Sequence, residues 1–559
     1  MCGIFAILNN NVSFKSIENG FMKGKNRGPE FSKLDCSFLE MILGFHRLAI
    51  NGLNEESNQP LIIDNIVLIC NGEIYNYKQL YKFMDVQPNT GSDCEVIIHL
   101  YLKYGIQQTL IMLDGVFSFV LYDILNKNVY IARDPFGVRP LYQIIDVVSQ
   151  SNKLFGFASE LKCLSEIYNL NKESYIIEQF NPGTYSFFNF DDKISLSWEL
   201  VMKNTPYFIP NFSSDLLIGN RFFQISSFLN NAVIKRCLTT ERPIACLLSG
   251  GLDSSLIAAL VNNFYNIHNM PNKLETWSIG LQGSEDLKYA KIVSDYLGTN
   301  HTEIIVTEKE MFDIIPEVIY AIESYDTTTV RASIGNYLLG KYIRKYSEAK
   351  VIFNGDGSDE LFGGYLYMNK CPDDIEFDKE TRRLLKDIYL FDVLRSDKSI
   401  SSHGLEPRTP FLDKNFVNSV LSIPPYFRNH KNYNQCEKYI LRQSFILKNF
   451  EGYDSRQILP DEILWRKKEA FSDGVSSQGR SLFQILQEHT SNYLNESENT
   501  TNYTPCIETE KYYYKKLFDE FFPNNSHILP YFWMPKYTNA TDPSARTLTF
   551  YSETKKTDN

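Results

Sequence analysis

Short buried strands alternate with helices along the second half of the chain, and this alternation most constrains the fold. Residues 243–248 are typical of a buried strand, and a glycine turn and the helical run 255–261 follow them. The apolar segments 274–279 and 350–353 are also followed by helical sequence. Strands that alternate with helices form βαβ units around a parallel sheet. We therefore expect an α/β domain that becomes mostly helical beyond residue 380.

The turn after the first of these strands has the sequence SGGLDSS, residues 249–255. Adjacent glycines let the backbone turn sharply and approach a ligand, and the free N–H groups at the start of a helix favour an anion. The serines add hydroxyl donors, and Asp253 can hold a Mg²⁺ ion that bridges phosphates. The turn therefore predicts a phosphate site.

A second phosphate motif, GxxxxGK at residues 335–341, is a weaker candidate. Tyr342 stands where this motif needs the hydroxyl of Ser or Thr for Mg²⁺. The interior of the segment is apolar with helical periodicity, so we expect a helix there and no phosphate loop.

The first 200 residues have a different pattern, with short strands rich in β-branched and aromatic residues. Segments 62–70, 115–125 and 128–132 fit this pattern. A polar, proline-containing stretch at 204–220 predicts a linker, and the polar residues 490–505 predict a surface loop. We divide the chain into a first domain at 2–200, a linker at 201–220, a second domain at 221–550 and a disordered tail at 551–559.

Charge and cysteine content limit the partners and the compartment. The 559 residues include 56 basic and 67 acidic side chains, which give a formal net charge of −11. An acidic surface repels phosphate backbones and anionic lipids, so we expect neither nucleic acid nor membrane as a partner. No apolar window of about 18 residues predicts a membrane span. Ten cysteines without a CxxC pair indicate a reducing compartment, so we predict a cytoplasmic protein.

Cys2 directly follows the initiator methionine, and removal of Met1 would leave a thiol and a free α-amine on one residue. The amine has a pKa of roughly 8, so it can act as general base for the thiol without a histidine. A lone cysteine is weak evidence, because most buried cysteines are structural. The surrounding motifs decide whether Cys2 is a nucleophile.

Three downstream segments supply groups that a nucleophilic thiol would need. The Asn71 amide and the Gly72 N–H form an oxyanion-type pair, Arg47 suits a carboxylate, and Asp93 suits an ammonium group. An α-carboxylate and an α-ammonium together define an amino acid, and a side-chain amide is what the thiol would attack. The sequence therefore predicts hydrolysis of an amino-acid amide.

The first 200 residues resemble the Ntn-type glutaminase domain of class II glutamine amidotransferases, an α+β sandwich of antiparallel sheets with helices. The matching segments are MCGI, NRGPE, HRLAI, NGEIYN, GSDCE, DGVFSF and ARDPFGVRPLY. The resemblance implies that Cys2 is the nucleophile and that Asn71 and Gly72 are catalytic. It implies a glutamine site at Arg47, Leu48, Ala49, Ile50, Asn51, Asn71, Gly72, Glu73 and Asp93. Glu30 departs from the family, which usually has aspartate there.

Residues 220–550 resemble the synthetase domain of glutamine-hydrolysing asparagine synthetases, a PP-loop ATP pyrophosphatase domain. The matching segments are CLLSGGLDSS, TWSIGL, YDTTTVRAS, VIFNGDGSDELFGGY, GLEPRTPFLDK, EKYILR, WRKKEAFSDGV and DPSAR. The resemblance implies an ATP site at Leu247, Ser249, Gly250, Gly251, Asp253, Ser254, Ile279, Asn354, Gly355 and Lys468. It implies Mg²⁺ at Asp253 and Asp359.

The same resemblance suggests roles for three further residues. Asp356 occupies the place of an acidic residue that takes part in acyl-adenylate formation, Glu360 shapes the pocket, and Arg331 is a candidate anion contact. Two positions depart from the family form SGEGSDE, because Asn354 replaces serine and Asp356 replaces glutamate. Aspartate keeps the charge and is one methylene shorter, so we expect activity with some change in geometry.

The implied reaction uses glutamine, aspartate and ATP. Cys2 attacks glutamine to give a glutamyl thioester and ammonia, and water then releases glutamate. The aspartate side chain attacks the α-phosphorus of MgATP to give β-aspartyl-AMP and pyrophosphate, and ammonia displaces AMP to give asparagine. The family also implies an enclosed ammonia route and a homodimer.

Three other functions stay open at this point. A related ATP-dependent amidotransferase would amidate another carboxylate on the same scaffold. A non-catalytic paralogue would have a damaged nucleophile or phosphate loop, and neither is damaged here. Glutamine-dependent sugar or purine transfer would leave SGGLDSS without a purpose and would form no AMP.

Overall fold

The structure, a computed structural model, describes residues 2–210, 220–477, 479–549 and 551. In the first domain the strands are β1 Gly3–Leu8, β2 Phe31–Phe38, β3 Met41–Arg47, β4 Leu61–Ile63, β5 Ile66–Ile74, β6 Gly115–Asp123, β7 Asn128–Arg133, β8 Tyr142–Asp146, β9 Phe155–Ala158, β10 Tyr175–Gln179, β11 Thr184–Asp191 and β12 Ser197–Pro206. The helices are α1 Phe14–Met22, α2 Tyr77–Met84, α3 Val96–Met112 and α4 Leu161–Leu170.

These strands form two antiparallel sheets that pack face to face. The strand order is β10-β8-β9-β1-β3-β2 in one sheet and β12-β11-β7-β6-β5-β4 in the other. Along β1, Ile4 and Leu8 belong to the core between the sheets, whereas Phe5 and Ile7 pack with Phe21 of α1 on the opposite face. This alternation is the period of two expected of a strand that is buried on both faces.

The second domain is built around a parallel sheet. Its strands are β13 Ile244–Leu247, β14 Glu275–Leu281, β15 Asn300–Val306, β16 Val351–Phe353 and β17 Glu406–Arg408. Its helices are α5 Arg221–Leu238, α6 Leu252–Ile267, α7 Glu285–Leu297, α8 Glu308–Asp313, α9 Ile315–Ile322, α10 Thr327–Tyr346, α11 Ser358–Phe362, α12 Asp374–Asp387, α13 Asp392–Ser401, α14 Lys414–Leu421, α15 Pro425–Arg428, α16 Tyr439–Ser444, α17 Asp461–Leu464, α18 Phe471–Gly474, α19 Leu482–Ser497 and α20 Ile507–Phe521.

The order of this sheet places a ligand crevice between two loops. The order is β15-β14-β13-β16-β17, so the chain moves outward in opposite directions from β13 and β16. Ligands of open α/β sheets bind at such a switch point, beyond the carboxyl ends of the strands. The SGGLDSS turn follows β13 and the NGDG turn, residues 354–357, follows β16, so these two turns meet there.

Most predicted elements are confirmed, including the parallel sheet and the two antiparallel sheets. Residues 62–70 form the hairpin of β4 and β5, because a turn at Asp64, with φ +52°, interrupts the predicted strand. The loop prediction for 490–505 was wrong up to Ser497, because Leu494 of α19 is buried in the core. The weaker phosphate candidate, residues 335–341, lies inside α10.

The predicted linker, residues 201–220, begins before the end of β12, which continues to Pro206. Residues 211–219 of this linker lie outside the described part of the chain. Residues 552–559 of the predicted tail also lie outside it. In the described part, no helix is both long and apolar enough to cross a membrane.

Gly250 is predicted to be irreplaceable for a reason that Gly283 does not share. Both have a left-handed φ, of +71° and +76°, which costs other residues roughly 1–2 kcal/mol. A Cβ at Gly250 would lie 2.4 Å from the backbone N of Ala290, whereas one at Gly283 meets nothing within 4 Å. Thermal unfolding of Gly250→Ala and Gly283→Ala should therefore show a much larger loss of Tm for Gly250→Ala. Equal losses would contradict the packing argument.

Candidate active sites

Cys2 lies immediately before β1 and contacts both antiparallel sheets. Its backbone N–H donates to Oδ1 of Asn71 at 3.2 Å, and its thiol donates to the carbonyl oxygen of Leu48 at 3.7 Å. Burial raises the pKa of the Cys2 thiol, although the nearby Arg47 charge acts in the opposite direction. A thiol with a raised pKa is mostly protonated near neutral pH, so it needs a base before it can attack.

Asn71 and Gly72, the predicted oxyanion pair, are adjacent residues of β5. The amide nitrogen of Asn71 donates to Oγ of Ser159 at 3.4 Å, a long hydrogen bond that a stronger acceptor could replace. A Cβ added at Gly72 would lie 2.6 Å from the carbonyl oxygen of Val116 on β6. Only glycine therefore allows the close approach of β5 and β6 that fixes this backbone.

Two buried carboxylates, Glu73 and Asp93, lie side by side in the predicted glutamine site. Asn51 Nδ2 donates to Oε2 of Glu73 at 2.7 Å and to Oδ1 of Asp93 at 3.4 Å. Burial raises the pKa of Asp93 to about 6. Burial and the charge of Asp93 together raise the pKa of Glu73. A cation between two such carboxylates would stabilise their ionised forms, so the pair suits the ammonium group of an amino acid.

Arg47 is positioned by neutral acceptors of the loop that follows β3. Nη1 donates to the carbonyl oxygen of Asn54 at 2.8 Å and to Oδ1 of Asn58 at 2.7 Å, and Nη2 donates to the carbonyl of Gly52. Because these acceptors carry no charge, the guanidinium keeps its full positive charge for an anionic ligand such as a carboxylate.

The residues after Arg47 contribute main chain more than side chain. Leu48 and Ile50 are each 2% exposed and belong to the apolar core, so only their backbone groups are available to a polar ligand. The N–H of Ala49 already donates to Oε2 of Glu30 at 2.7 Å, and Oε1 of Glu30 lies 3.1 Å from Nη2 of Arg242. Glu30 therefore connects the glutamine-site loop to the second domain.

Two arginines that the sequence analysis missed reach the first site. Arg27 Nε donates to the carbonyl oxygen of Cys2 at 3.0 Å, and Arg408 of β17 in the second domain lies 3.3 Å from Oε2 of Glu73. Arg27 stands inside the quoted NRGPE segment, which was the available signal. No local pattern connects Arg408 to Glu73, because more than half of the chain separates them.

The SGGLDSS turn is closed by hydrogen bonds among its own serines. Ser254 Oγ accepts from the backbone N–H of Ser249 at 3.1 Å and lies 3.0 Å from Oγ of Ser249. The N–H of Gly251 donates to the same Ser249 oxygen at 3.3 Å. The turn is thus preformed at the start of α6, where the helix N-terminus favours an anion.

A cavity opens beside this turn, at the carboxyl ends of β13 and β16. The predicted ATP residues that line it are Leu247, Ser249, Gly251, Asp253, Ser254, Ile279, Asn354, Gly355 and Lys468. Asp356 and Asp359 line it as well. Gly250 is the one predicted ATP residue that faces away, since it packs against Tyr289 and Ala290 of α7. The apolar residues of the lining suit an aromatic base, and the polar residues suit phosphates.

Two aspartates and two lysines meet at the polar end of this cavity. Nζ of Lys438 lies 2.6 Å from Oδ2 of Asp253 and 2.6 Å from Oδ1 of Asp359. Nζ of Lys468 lies 2.6 Å from Oδ2 of Asp359 and 3.9 Å from Asp253. Although burial opposes ionisation, the lysine charges hold the pKa of Asp359 well below its usual range. Lys438, from the quoted EKYILR segment, was missed by the sequence analysis.

The two aspartates can supply part of the ligand set of the predicted Mg²⁺ ion. Mg²⁺ prefers oxygen ligands and is commonly bound by one or two carboxylates together with substrate phosphates. Among the residues that the structure describes, no group of three or more His, Cys, Asp or Glu side chains could enclose a metal ion. Asp253 and Asp359 therefore suit an ion that takes its other ligands from a nucleotide.

Asp356 interacts with the first turn of α13. Nη2 of Arg395 lies 2.7 Å from Oδ1 of Asp392 and 3.3 Å from Oδ1 of Asp356. Burial raises the pKa of Asp392 to about 6 and raises the pKa of the neighbouring Glu360. Asp392 and Arg395 were not predicted from the sequence. The cluster therefore combines two carboxyl groups whose pKa values are raised with the positive charge of Arg395 next to the cavity.

The role of Arg331 as an anion contact stays a prediction, because Arg331 lines a cavity next to the nucleotide cavity but already pairs with carboxylates of the protein. Its guanidinium is 3% exposed and pairs with Glu510 at 2.5 Å and with Asp542 at 2.7 Å. These two carboxylates compensate its charge within the protein, so Arg331 joins α10 to α20 and to the loop that contains Asp542. A ligand anion would have to displace them.

The two sites define a glutamine-dependent amidotransferase that also carries an ATP-using synthetase domain. A glutamine amidotransferase domain model matches residues 1–190, and an asparagine synthase model matches residues 224–374 and 369–542. The glutamine-hydrolyzing asparagine synthetase of Gallus gallus is 40% identical over 99% of this chain and 99% of its own length. That of Homo sapiens is 38% identical over 100% of both chains. The chain therefore belongs to the family of glutamine-hydrolysing asparagine synthetases.

The raised pKa of Asp93 predicts how glutamine hydrolysis depends on pH. Asp93 must be ionised to hold an ammonium group, and its pKa is about 6. Therefore kcat/KM for glutamine should fall as the pH drops through about 6, mainly through a higher KM. Asp93→Asn should raise KM roughly ten-fold or more and remove this step.

The test is a pH profile of kcat/KM, with Asp192→Asn as the control. Asp192 is an exposed carboxylate of the same domain, so its loss should leave the profile unchanged. A profile of Asp93→Asn that keeps the wild-type step would contradict the assignment.

Proposed function

We propose that this chain makes asparagine from aspartate, glutamine and ATP, with AMP, pyrophosphate and glutamate as the other products. The observation that carries the proposal is the presence of two complete sites in one chain. A thiol lies beside an oxyanion pair and an amino-acid pocket, and a phosphate loop lies beside Asp356. The family relationship supports the same reaction.

In the first site, removal of Met1 would expose the α-amine of Cys2. The amine takes the thiol proton, and the sulfur attacks the amide carbon of glutamine. The N–H of Gly72 and the amide of Asn71 stabilise the negative oxygen that forms. The carbon–nitrogen bond then breaks, ammonia leaves with the proton, and water hydrolyses the thioester to glutamate. Arg47 and Asp93 hold the two charged ends of the substrate.

In the second site, the side-chain carboxylate of aspartate attacks the α-phosphorus of ATP and pyrophosphate leaves. Lys438 and Lys468 hold Asp253 and Asp359 in place beside the phosphates. Mg²⁺, when bound to these aspartates, would neutralise phosphate charge. The adenylate makes AMP the leaving group, so ammonia can displace it to form the amide bond of asparagine.

The position of aspartate is supported by a second cavity next to the nucleotide cavity. The two cavities share Asp359, Asp392, Arg395 and Lys468. A substrate in the second cavity would have its reactive carboxylate at this shared wall, next to Asp356. Arg395 lies at this wall, and a substrate carboxylate that binds it would compete with Asp392, which pairs with Arg395 at 2.7 Å. In a related amidotransferase, a different carboxylic acid substrate would bind at the same wall. Measuring pyrophosphate release with a panel of amino acids distinguishes that function from asparagine synthesis.

Ammonia must travel between the sites, and the domain boundary suits this step. Leu48 and Ile50 of the first site belong to the same buried apolar cluster as Leu248 and Leu252 beside the phosphate loop. Uncharged ammonia can cross an apolar region, whereas ammonium pays a large desolvation cost. An enclosed route stays a prediction, as do the homodimer and the cytoplasmic location.

Cys2→Ala should separate the two half-reactions. The variant should lose asparagine synthesis from glutamine by a factor of about 1,000 or more, because the nucleophile is absent. Synthesis from added ammonium salts should stay near the wild-type rate, because the second site is unchanged. Asparagine, AMP and pyrophosphate are measured with each nitrogen source.

Cys36→Ala is the matched control, since Cys36 is an exposed cysteine of the same domain. It should keep both activities. Loss of both activities in folded Cys2→Ala protein, or formation of ADP and orthophosphate by the wild-type chain, would contradict the proposed function.

A further inference from the structure

The first turns of helix α13, residues Asp392–Ser401, contact the turn that follows β16 in the nucleotide site. Nη2 of Arg395 lies 3.3 Å from Oδ1 of Asp356, and Oγ of Ser396 accepts from Nδ2 of Asn354 at 2.6 Å. Asn354 stands where the resembled family has serine, and its longer side chain makes the contact to Ser396. Two residues of the nucleotide site are therefore tied to one helix.

The later turns of the same helix contact the glutaminase site. Asp397 Oδ2 accepts from Nη1 of Arg27 at 2.8 Å, and Ser401 Oγ accepts from the same nitrogen at 2.9 Å. Arg27 Nε in turn donates to the carbonyl oxygen of Cys2 at 3.0 Å. α13 therefore fixes the position of Arg27, and Arg27 in turn binds the main chain of Cys2.

The contacts at both ends are buried, so they respond strongly to small displacements. Ser396 and Asp397 are each 1% exposed and Arg27 is 2% exposed. A buried ion pair needs accurate geometry, because no solvent replaces the interaction that is lost when its two charges separate. Ser396 and Asp397 are consecutive residues, about 1.5 Å apart along the helix axis, so one cannot move independently of the other.

We propose that α13 couples the two active sites and that Asp397 is a positioning residue for Cys2. A nucleotide that contacts Asn354 and Asp356 biases the position of α13, and Arg27 passes this change to the carbonyl of Cys2. Coupling of binding free energies is reciprocal, so glutamine also changes the affinity for ATP. The inference rests on the proposed function, because both sites must bind their substrates.

The test compares glutamine hydrolysis by the full chain with and without saturating ATP and aspartate. In the wild-type chain, saturating ATP and aspartate together should change KM for glutamine by about five-fold or more. This is the lower end of typical allosteric couplings. In Ser396→Ala the change should shrink below roughly two-fold, while hydrolysis without nucleotide stays at the wild-type rate. Asp397→Asn should also lose the response and should lower kcat, because Arg27 keeps the charge of Glu160 but loses that of Asp397.

Ser399→Ala is the matched control on the same helix. Ser399 is fully buried like Ser396, but its hydroxyl has no hydrogen-bond partner among the described residues. Removing an unpaired hydroxyl costs little, so this variant should keep the wild-type response to ATP and aspartate. If any serine-to-alanine change in α13 disturbed the helix, Ser396→Ala and Ser399→Ala would lose the response to ATP and aspartate to the same extent.

Three results would overturn the inference. These are a wild-type chain whose two half-reactions run but do not influence each other, full response in Ser396→Ala, and equal loss in Ser399→Ala. If Asp397→Asn does not fold, Ser401→Ala replaces it, since it removes one contact to Arg27 without removing a charge. Failure of the proposed function itself looks different, because the wild-type chain would then hydrolyse no glutamine or form no asparagine.

Discussion

Buried charges between the two domains hold the two active sites in a fixed relation to each other. Arg27 pairs with Glu160 of its own domain at 2.6 Å and with Asp397 of the second domain at 2.8 Å. A buried charge that loses its partner costs several kcal/mol, so each domain completes the charges of the other. Such pairs give little net stability, and their main effect is to fix geometry.

The consequence is that the glutamine site is not built from the first domain alone. Arg408 of the second domain faces Glu73 in the glutamine pocket, while Glu30 of the first domain pairs with Arg242 of the second. The first domain without its partner would keep Glu73 and Asp93 as two buried carboxylates with one fewer positive charge nearby. The coupling that we propose for α13 depends on a contact of the same kind, the ion pair between Arg27 of the first domain and Asp397 of the second.

The sequence predicts what local patterns encode and misses what only the fold brings together. The strand, glycine turn and helix around Asp253 are contiguous, and so is the segment that holds Asn71 and Gly72. Lys438 lies 185 positions from Asp253, its partner, and no periodicity connects them. Arg331 pairs with Glu510 of α20, which lies 179 positions further along the chain, and no local pattern connects these two residues either. The end of α19 was predicted as a loop because its composition is polar, although a few apolar residues such as Leu494 are enough to form the buried side of the helix.

We predict that nitrogen released at Cys2 reaches the acyl-adenylate without entering the solvent. The most direct measurement supplies glutamine labelled with ¹⁵N in its amide, in the presence of excess unlabelled ammonium, and determines the label in the asparagine by mass spectrometry. The account predicts that asparagine made in the glutamine-dependent reaction keeps the label well above the fraction expected from mixing with the ammonium pool. Label diluted to the composition of that pool would contradict it.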